Sequence, residues 1–172
     1  MFVHLRCHSH YSFLRGLNPP EEIIAAAAEQ KMPAVALTDT NGMYAAVPFY
    51  QKAQEAGLKP IVGVVLDVET GGERRVTNGG LRRAKNETRN SPSVSIVLLA
   101  ADAAGYSNLC RLTTLRHLGA LQLGQETFVE GDGRPVTLEE LAAHSAGVVA
   151  LWPASALLRM DLARRGAACC AP

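Results

Sequence analysis

Two histidines and two aspartates, His8, His10, Asp39 and Asp67, have the types and places to do chemistry in this chain. A His-x-His pair in extended backbone puts both imidazoles on one face, with Cα atoms about 6–7 Å apart, which suits one shared divalent metal. Asp39 would add a hard oxygen ligand, and an ion so held activates water for hydrolysis. The same pair is also read as two hydrogen-bonded rim histidines. Beyond the N-terminal segment the next histidines are His117 and His144, both within predicted helices. Nucleophile readings are poor. Ser9 and Ser12 flank the histidines, yet no G-x-S-x-G elbow is present. Cys7 alternates with Val3 and Leu5 toward an apolar face and reads as an inert core thiol. Cys110 is isolated and Cys169 and Cys170 are adjacent, so neither a disulfide framework nor a CxxC zinc ribbon is present. No G-x-G-x-x-G or G-x-x-x-x-G-K-[ST] loop cradles a nucleotide.

The elements that must position these residues alternate between strand and helix. Apolar residues at alternate positions predict a first strand over 2–8. Pro19-Pro20-Glu21-Glu22 opens a helix to about Gln30, with carboxylates where the dipole favours them. Residues 34–38 form a short apolar run, the mark of a buried strand. A helix from about Met43 to Ala56 follows, closed by Gly57, and 60–68 is the third strand. Residues 94–100 make a fourth strand, and Asp102 caps a helix to about Leu118. Thr137 and Glu140 form a capping box, Gly147 leads into a fifth strand over 148–152, and 154–168 reads as a helix. Strands apolar on both faces and alternating with helices predict a parallel α/β sheet or barrel, with His8, His10, Asp39 and Asp67 at strand ends.

The 172 residues suit one domain, 1–172, and a 48% hydrophobic, 19% charged composition can bury a core. Two loops interrupt it, at 70–92 and 120–136. The first holds six Lys and Arg (74, 75, 82, 83, 85, 89) against two Glu (73, 87), and reads as a basic, flexible insertion. No aromatics interleave to stack on bases, so a solvated loop is favoured over a nucleic-acid arm. The net charge of +1 excludes a globally basic nucleic-acid binder. No apolar run is long enough for a membrane span, and MFVHLRCHSH has no signal-peptide core, so the expected place is the cytoplasm, with no membrane partner.

Longer strings carry a resemblance. VHLRCHSHYSFLRG, PEEIIAAAAEQKMPAVALTDTNGMYAAVPFYQKAQEAGLKPIVGVVLDV, VLLAADAAGYSNLCRLTT and LEELAAHSAGVVAL together cover nearly all the chain outside the two loops. In that order they resemble the N-terminal PHP (polymerase and histidinol phosphatase) domain of bacterial C-family DNA polymerases. That family holds the DNA polymerase III alpha subunit and its error-prone paralogue, and SHYSFLRG and GVVLDV look closer to the error-prone branch.

The resemblance implies a PHP-type distorted β/α barrel of seven strands, here incomplete, with about five of the seven units. It also implies a ring of metal ligands at the strand ends, from which this sequence departs. His8 matches the second His of the first-strand pair, while Arg6 stands where the first belongs. Arg15 replaces an Asp, Thr40 a His, Val65 a Glu and Ser95 a His, the family's Cys position falls near Ala154, and Asp39 is kept. Fixed positive charge at two ligand positions opposes a cation. The implied site is therefore vestigial, His8, His10 and Asp39 at most. Arg15 is a possible ion-pair partner for Asp39. No cofactor is expected, beyond weak Mn or Zn.

The function so implied is that of a non-catalytic PHP module in an error-prone or replicative polymerase. Its partners would be the remainder of a polymerase chain or polymerase accessory subunits, with DNA met only indirectly. The alternative is a metal-dependent phosphoesterase of the PHP family, and a free-standing DNA-binding protein using the basic loop is a third, weaker reading. Nucleotidyl transfer needs an acidic palm that these residues do not supply. The adjacent cysteines and the stop inside a helical pattern are read as signs of a truncation or of an alternative reading end.

Overall fold

A computed structural model of the chain describes residues 2–69, 93–118 and 134–152. The insertion expected at 70–92, most of the loop expected at 120–136, the helix expected over 154–168, and Cys169 and Cys170 lie outside the described residues.

Helix α1, Pro20–Glu29, starts where proline sets φ and has Glu21 and Glu22 in its first turn. Strand β1, Ala34–Thr40, is followed by helix α2, Ala46–Glu55, and strand β2, Lys59–Glu69. Then come β3, Ser93–Ala100, α3, Ala103–Leu118, α4, Leu138–Ala143, and β4, Val148–Leu151. The expected local signals operate. Gly57 adopts φ +70 after α2, and Asp102 Oδ1 accepts from the Gly105 N–H at 2.7 Å. The Thr137–Glu140 capping box is formed in both directions. Helix α2 begins three residues later than expected, because Met43–Ala45 make a turn instead.

The four strands form one sheet in the order β1-β2-β3-β4. The α/β class is as expected, but not every strand direction. Strands β1 and β2 pair in parallel, from Ala34↔Lys59 to Thr40↔Val65. Strand β3 runs antiparallel to β2, and β4 antiparallel to β3, against the expectation of a wholly parallel sheet. Two-sided burial made β3 look parallel, yet burial reports depth and not direction. A parallel return needs a crossover, usually a helix, and the polar 70–92 sequence has no helical pattern.

The strand expected over 2–8 is also revised. This segment runs beside β1 with a single parallel bridge, His4↔Val35. The His4 carbonyl accepts from Ala36 N–H at 2.9 Å and the Cys7 carbonyl from Thr38 N–H at 2.8 Å. Three residues thus advance against two of β1, as in a bulge, and the alternation breaks. Leu5 is exposed, while Cys7 stays half-buried against the core. Val136, placed in the expected loop, is buried instead and bridges Val68, extending the sheet beyond the end of β1.

One face of the sheet is covered by helices. Val35 and Leu37 pack with Ile24, Ala27, Phe49 and Leu58, and Val64, Leu66, Ile96 and Leu98 pack with Leu109 and Leu112. Ala36, Val65, Val97 and Leu99 form a separate buried cluster. The strands are thus apolar on both faces, as their sequences read. Among the described residues no helix is long and apolar enough to cross a membrane.

Candidate metal-binding pocket

Asp39 lies near the C-terminal end of β1 and is 2% exposed. Burying a carboxylate is costly unless its oxygens are hydrogen-bonded. Here Oδ1 accepts from the Ser9 N–H at 2.7 Å and from Ser12 Oγ at 2.6 Å, while Oδ2 accepts from Ser9 Oγ at 2.7 Å. Ser12 Oγ in turn accepts from the Thr40 N–H at 2.9 Å. Ser9 and Ser12 are themselves buried, and the Ser12 N–H donates to the Ser9 carbonyl at 2.9 Å, closing a turn. Gly16 makes that turn possible, since a Cβ there would stand 2.0 Å from the Ser9 carbonyl oxygen.

The turn separates the two histidines. His8 is half-buried, with Nδ1 3.4 Å from Ser12 Oγ. Burial and, next, the Arg6 charge hold its pKa below the ordinary value, so the ring is neutral at pH 7. It lines a cavity of about 370 Å³ between the N-terminal segment and α1, with His4, Cys7, Asn18 and Glu22. Burial raises the Cys7 pKa, which keeps the thiol protonated, in line with the inert reading. His10 is exposed, its ring 4.3 Å from that of Tyr11. The extended His-x-His geometry is thus lost where the chain bends. Arg15 is exposed and forms no ion pair with Asp39, whose oxygens already meet three donors.

Among the described residues, no three His, Cys, Asp or Glu side chains are placed to hold one metal ion. A carboxylate committed to three donors, a histidine turned toward a serine and a solvent-facing histidine do not make a ligand set. At the other ligand positions implied by the resemblance, Val65 is buried and apolar, and Thr40 Oγ1 is buried with no hydrogen-bond partner. The residues present do not fit the metal centre.

A second polar cluster stands at the same edge. Asp67 Oδ1 accepts from Ser95 Oγ at 2.7 Å, and Oδ2 from Asn41 Nδ2 and Arg116 Nη2, both at 3.2 Å. Arg116 Nη1 donates to the Arg134 carbonyl at 3.0 Å, and His117 Nε2 lies 2.6 Å from the Asn41 carbonyl oxygen. The cluster ties the last turn of α3 to the ends of β1 and β2. Sequence reasoning placed Asp67 at a strand end but found none of its partners. Ser9 and Ser12, poor nucleophile candidates by sequence, are here the donors to Asp39. No local pattern around Asp39 points to Ser9 and Ser12, which lie 30 and 27 positions away.

Residues 4–165 match the family model of the PHP domain, and the chain belongs to that family. Over 152 residues it is 38% identical to the error-prone DNA polymerase of Anaeromyxobacter sp. (strain K), covering 88% of this chain and 12% of that protein. Over 111 residues it is 35% identical to DNA polymerase III subunit alpha of Buchnera aphidicola subsp. Acyrthosiphon pisum, covering 64% of this chain and 8% of that protein. The chain therefore spans about an eighth or less of the length of these relatives. An amidohydrolase structure from Chromobacterium violaceum aligns with a TM-score of 0.42 at 24% identity, covering 66% of this chain and 33% of that one.

Proposed function

We propose that this chain serves as the PHP module of an error-prone DNA polymerase of the III-alpha type, with a structural role. Polymerisation belongs to the remainder of such a polypeptide, which would also carry the contact with DNA and accessory subunits, in the cytoplasm. The observation that carries the reading is the Asp39 carboxylate, whose oxygens are taken by Ser9 and Ser12. A ligand held by three internal donors has become an anchor for the chain around it. His8 and His10 complete no metal site with it, and no resident cofactor is invoked.

Two measurements test this. In the first, the protein is loaded with manganese or zinc, dialysed and subjected to elemental analysis, alongside p-nitrophenyl phosphate turnover. Substoichiometric metal and no turnover are expected. A tightly held equivalent of metal, with turnover abolished by His8→Ala, would establish the phosphoesterase reading instead. In the second, these residues replace the matching portion of the Anaeromyxobacter sp. (strain K) polymerase. Primer extension should persist, and its loss in a folded chimera refutes the module reading.

A further inference from the structure

The turn anchored on Asp39 presents apolar side chains to solvent. Phe13 is 86% exposed, Leu14 90% and Leu17 88%, and Tyr11 in the same turn and Tyr44, whose ring meets it, are exposed as well. Single exposed apolar residues are ordinary, but a contiguous group marks an interaction site. Continuity is given by the rings of Tyr11 and Tyr44, whose centroids are 6.2 Å apart.

The tip is also held rigid. Its root is fixed by the Ser9 and Ser12 bonds to Asp39, and the Arg15 and Gly16 N–H groups both donate to the Ser12 carbonyl at 2.9 Å. Leu14 adopts φ 59, a left-handed conformation that a branched apolar residue takes at a cost. Neither the strain nor the exposure of Leu14 stabilises this domain by itself. Both follow if the tip fits a pocket elsewhere, because a preordered apolar anchor loses little entropy on docking.

We infer that Phe13, Leu14 and Leu17, flanked by Tyr11 and Tyr44, form the face on which this domain docks against the remainder of a polymerase chain. The inference rests on the proposed function. Its occupant follows from length, since the matched part makes up only 12% of the Anaeromyxobacter polymerase and the rest of such a chain must be accommodated around it. Charge defines the pocket further. Arg15, exposed, is the one side chain of fixed charge between Ser9 and Leu17. The complementary surface is an apolar pocket edged by carboxylates.

Hydroxyl-radical footprinting of the polymerase chimera, compared with the 172-residue chain, tests the docking. Labelling of Phe13, Leu14 and Leu17 should fall about tenfold in the chimera, as in a water-excluded interface core, while Tyr106 labels equally in both. A chimera that extends primers but labels fully at the tip overturns the docking and leaves the module reading intact. A folded but inactive chimera with a fully labelled tip overturns both. Protection in the 172-residue chain that grows with its concentration, or appears only with anionic vesicles, overturns the inference in favour of self-association or a lipid surface. Leu14→Asn supplies a second measure. It suits the left-handed backbone, so the 172-residue chain should melt higher while tip protection in the chimera is lost. A lower melting temperature with unchanged protection refutes the anchor role.

Discussion

Ser12 and Asp39 are 27 positions apart and joined by a 2.6 Å hydrogen bond, in which the serine hydroxyl donates to Oδ1. The same hydroxyl accepts from the Thr40 N–H, so one side chain ties the N-terminal turn to both the aspartate and the backbone beside it. Replacing Asp39 by Ala strands the Ser9 N–H and two hydroxyl groups in a buried site. The expected cost is about 3 kcal/mol, against about 1 kcal/mol for Ser12→Ala, read from urea unfolding at constant m-value. Equal costs for the two variants would show that the network does not centre on the carboxylate.

The Asp67 cluster should act as a tie between α3 and the sheet edge. Asp67→Ala removes the acceptor of Ser95, Asn41 and Arg116 together and leaves a partly buried guanidinium without that partner. A loss of about 2 kcal/mol is expected. A double-mutant cycle with Ser95→Ala should show coupling, since both substitutions remove one shared bond. Strict additivity would contradict the geometry.

Acid sensitivity should appear at α4. Arg134 hydrogen-bonds the Glu140 carboxylate, and this contact, together with the Thr137 N–H, holds the Glu140 pKa below its ordinary 4.5 against the opposing effect of burial. A carboxylate with a lowered folded pKa contributes stability in full above its unfolded value, and loses it as pH falls through the folded one. The melting-temperature gap between wild type and Glu140→Gln should be constant above about pH 5 and close below 4.5. A gap that widens on acidification would reverse the assigned sign.

Two glycines should respond differently to alanine. At Gly105 a Cβ would lie 1.9 Å from the Gly147 carbonyl oxygen, so α3 and the entry to β4 must separate. Gly57 has open space around it and only its φ of +70 to oppose a side chain. Gly105→Ala is expected to cost more than about 3 kcal/mol and Gly57→Ala about 1 kcal/mol, compared by thermal unfolding.

The parts legible in the sequence were those encoded within a few residues. Asp102, the Thr137–Glu140 box and Gly57 each act on backbone next to them, and each formed as read. The direction of β3 was not legible, because an apolar run such as Ile96–Leu99 packs equally well either way round. The break in the N-terminal segment was hidden for a related reason. Val3, Leu5 and Cys7 alternate correctly, but their pairing with β1 slips by one residue, and alternation does not report register. At the pocket, the resemblance marked Asp39 and the altered ligand positions. The new employment of that aspartate depends on Ser9 and Ser12, about thirty positions away, which no local pattern reveals.

The antiparallel pairing of β2 and β3 brings Glu69 and Ser93 opposite each other. Adjacent antiparallel ends can be joined by a two-residue turn. The β2–β3 pairing therefore does not dictate the number of residues between Glu69 and Ser93. The polypeptide can be opened there, and new termini created, without cutting a crossover. Such a position suits a grafted module, or a split into two complementing fragments, residues 1–69 and 93–172, that reassemble along the β2–β3 ladder.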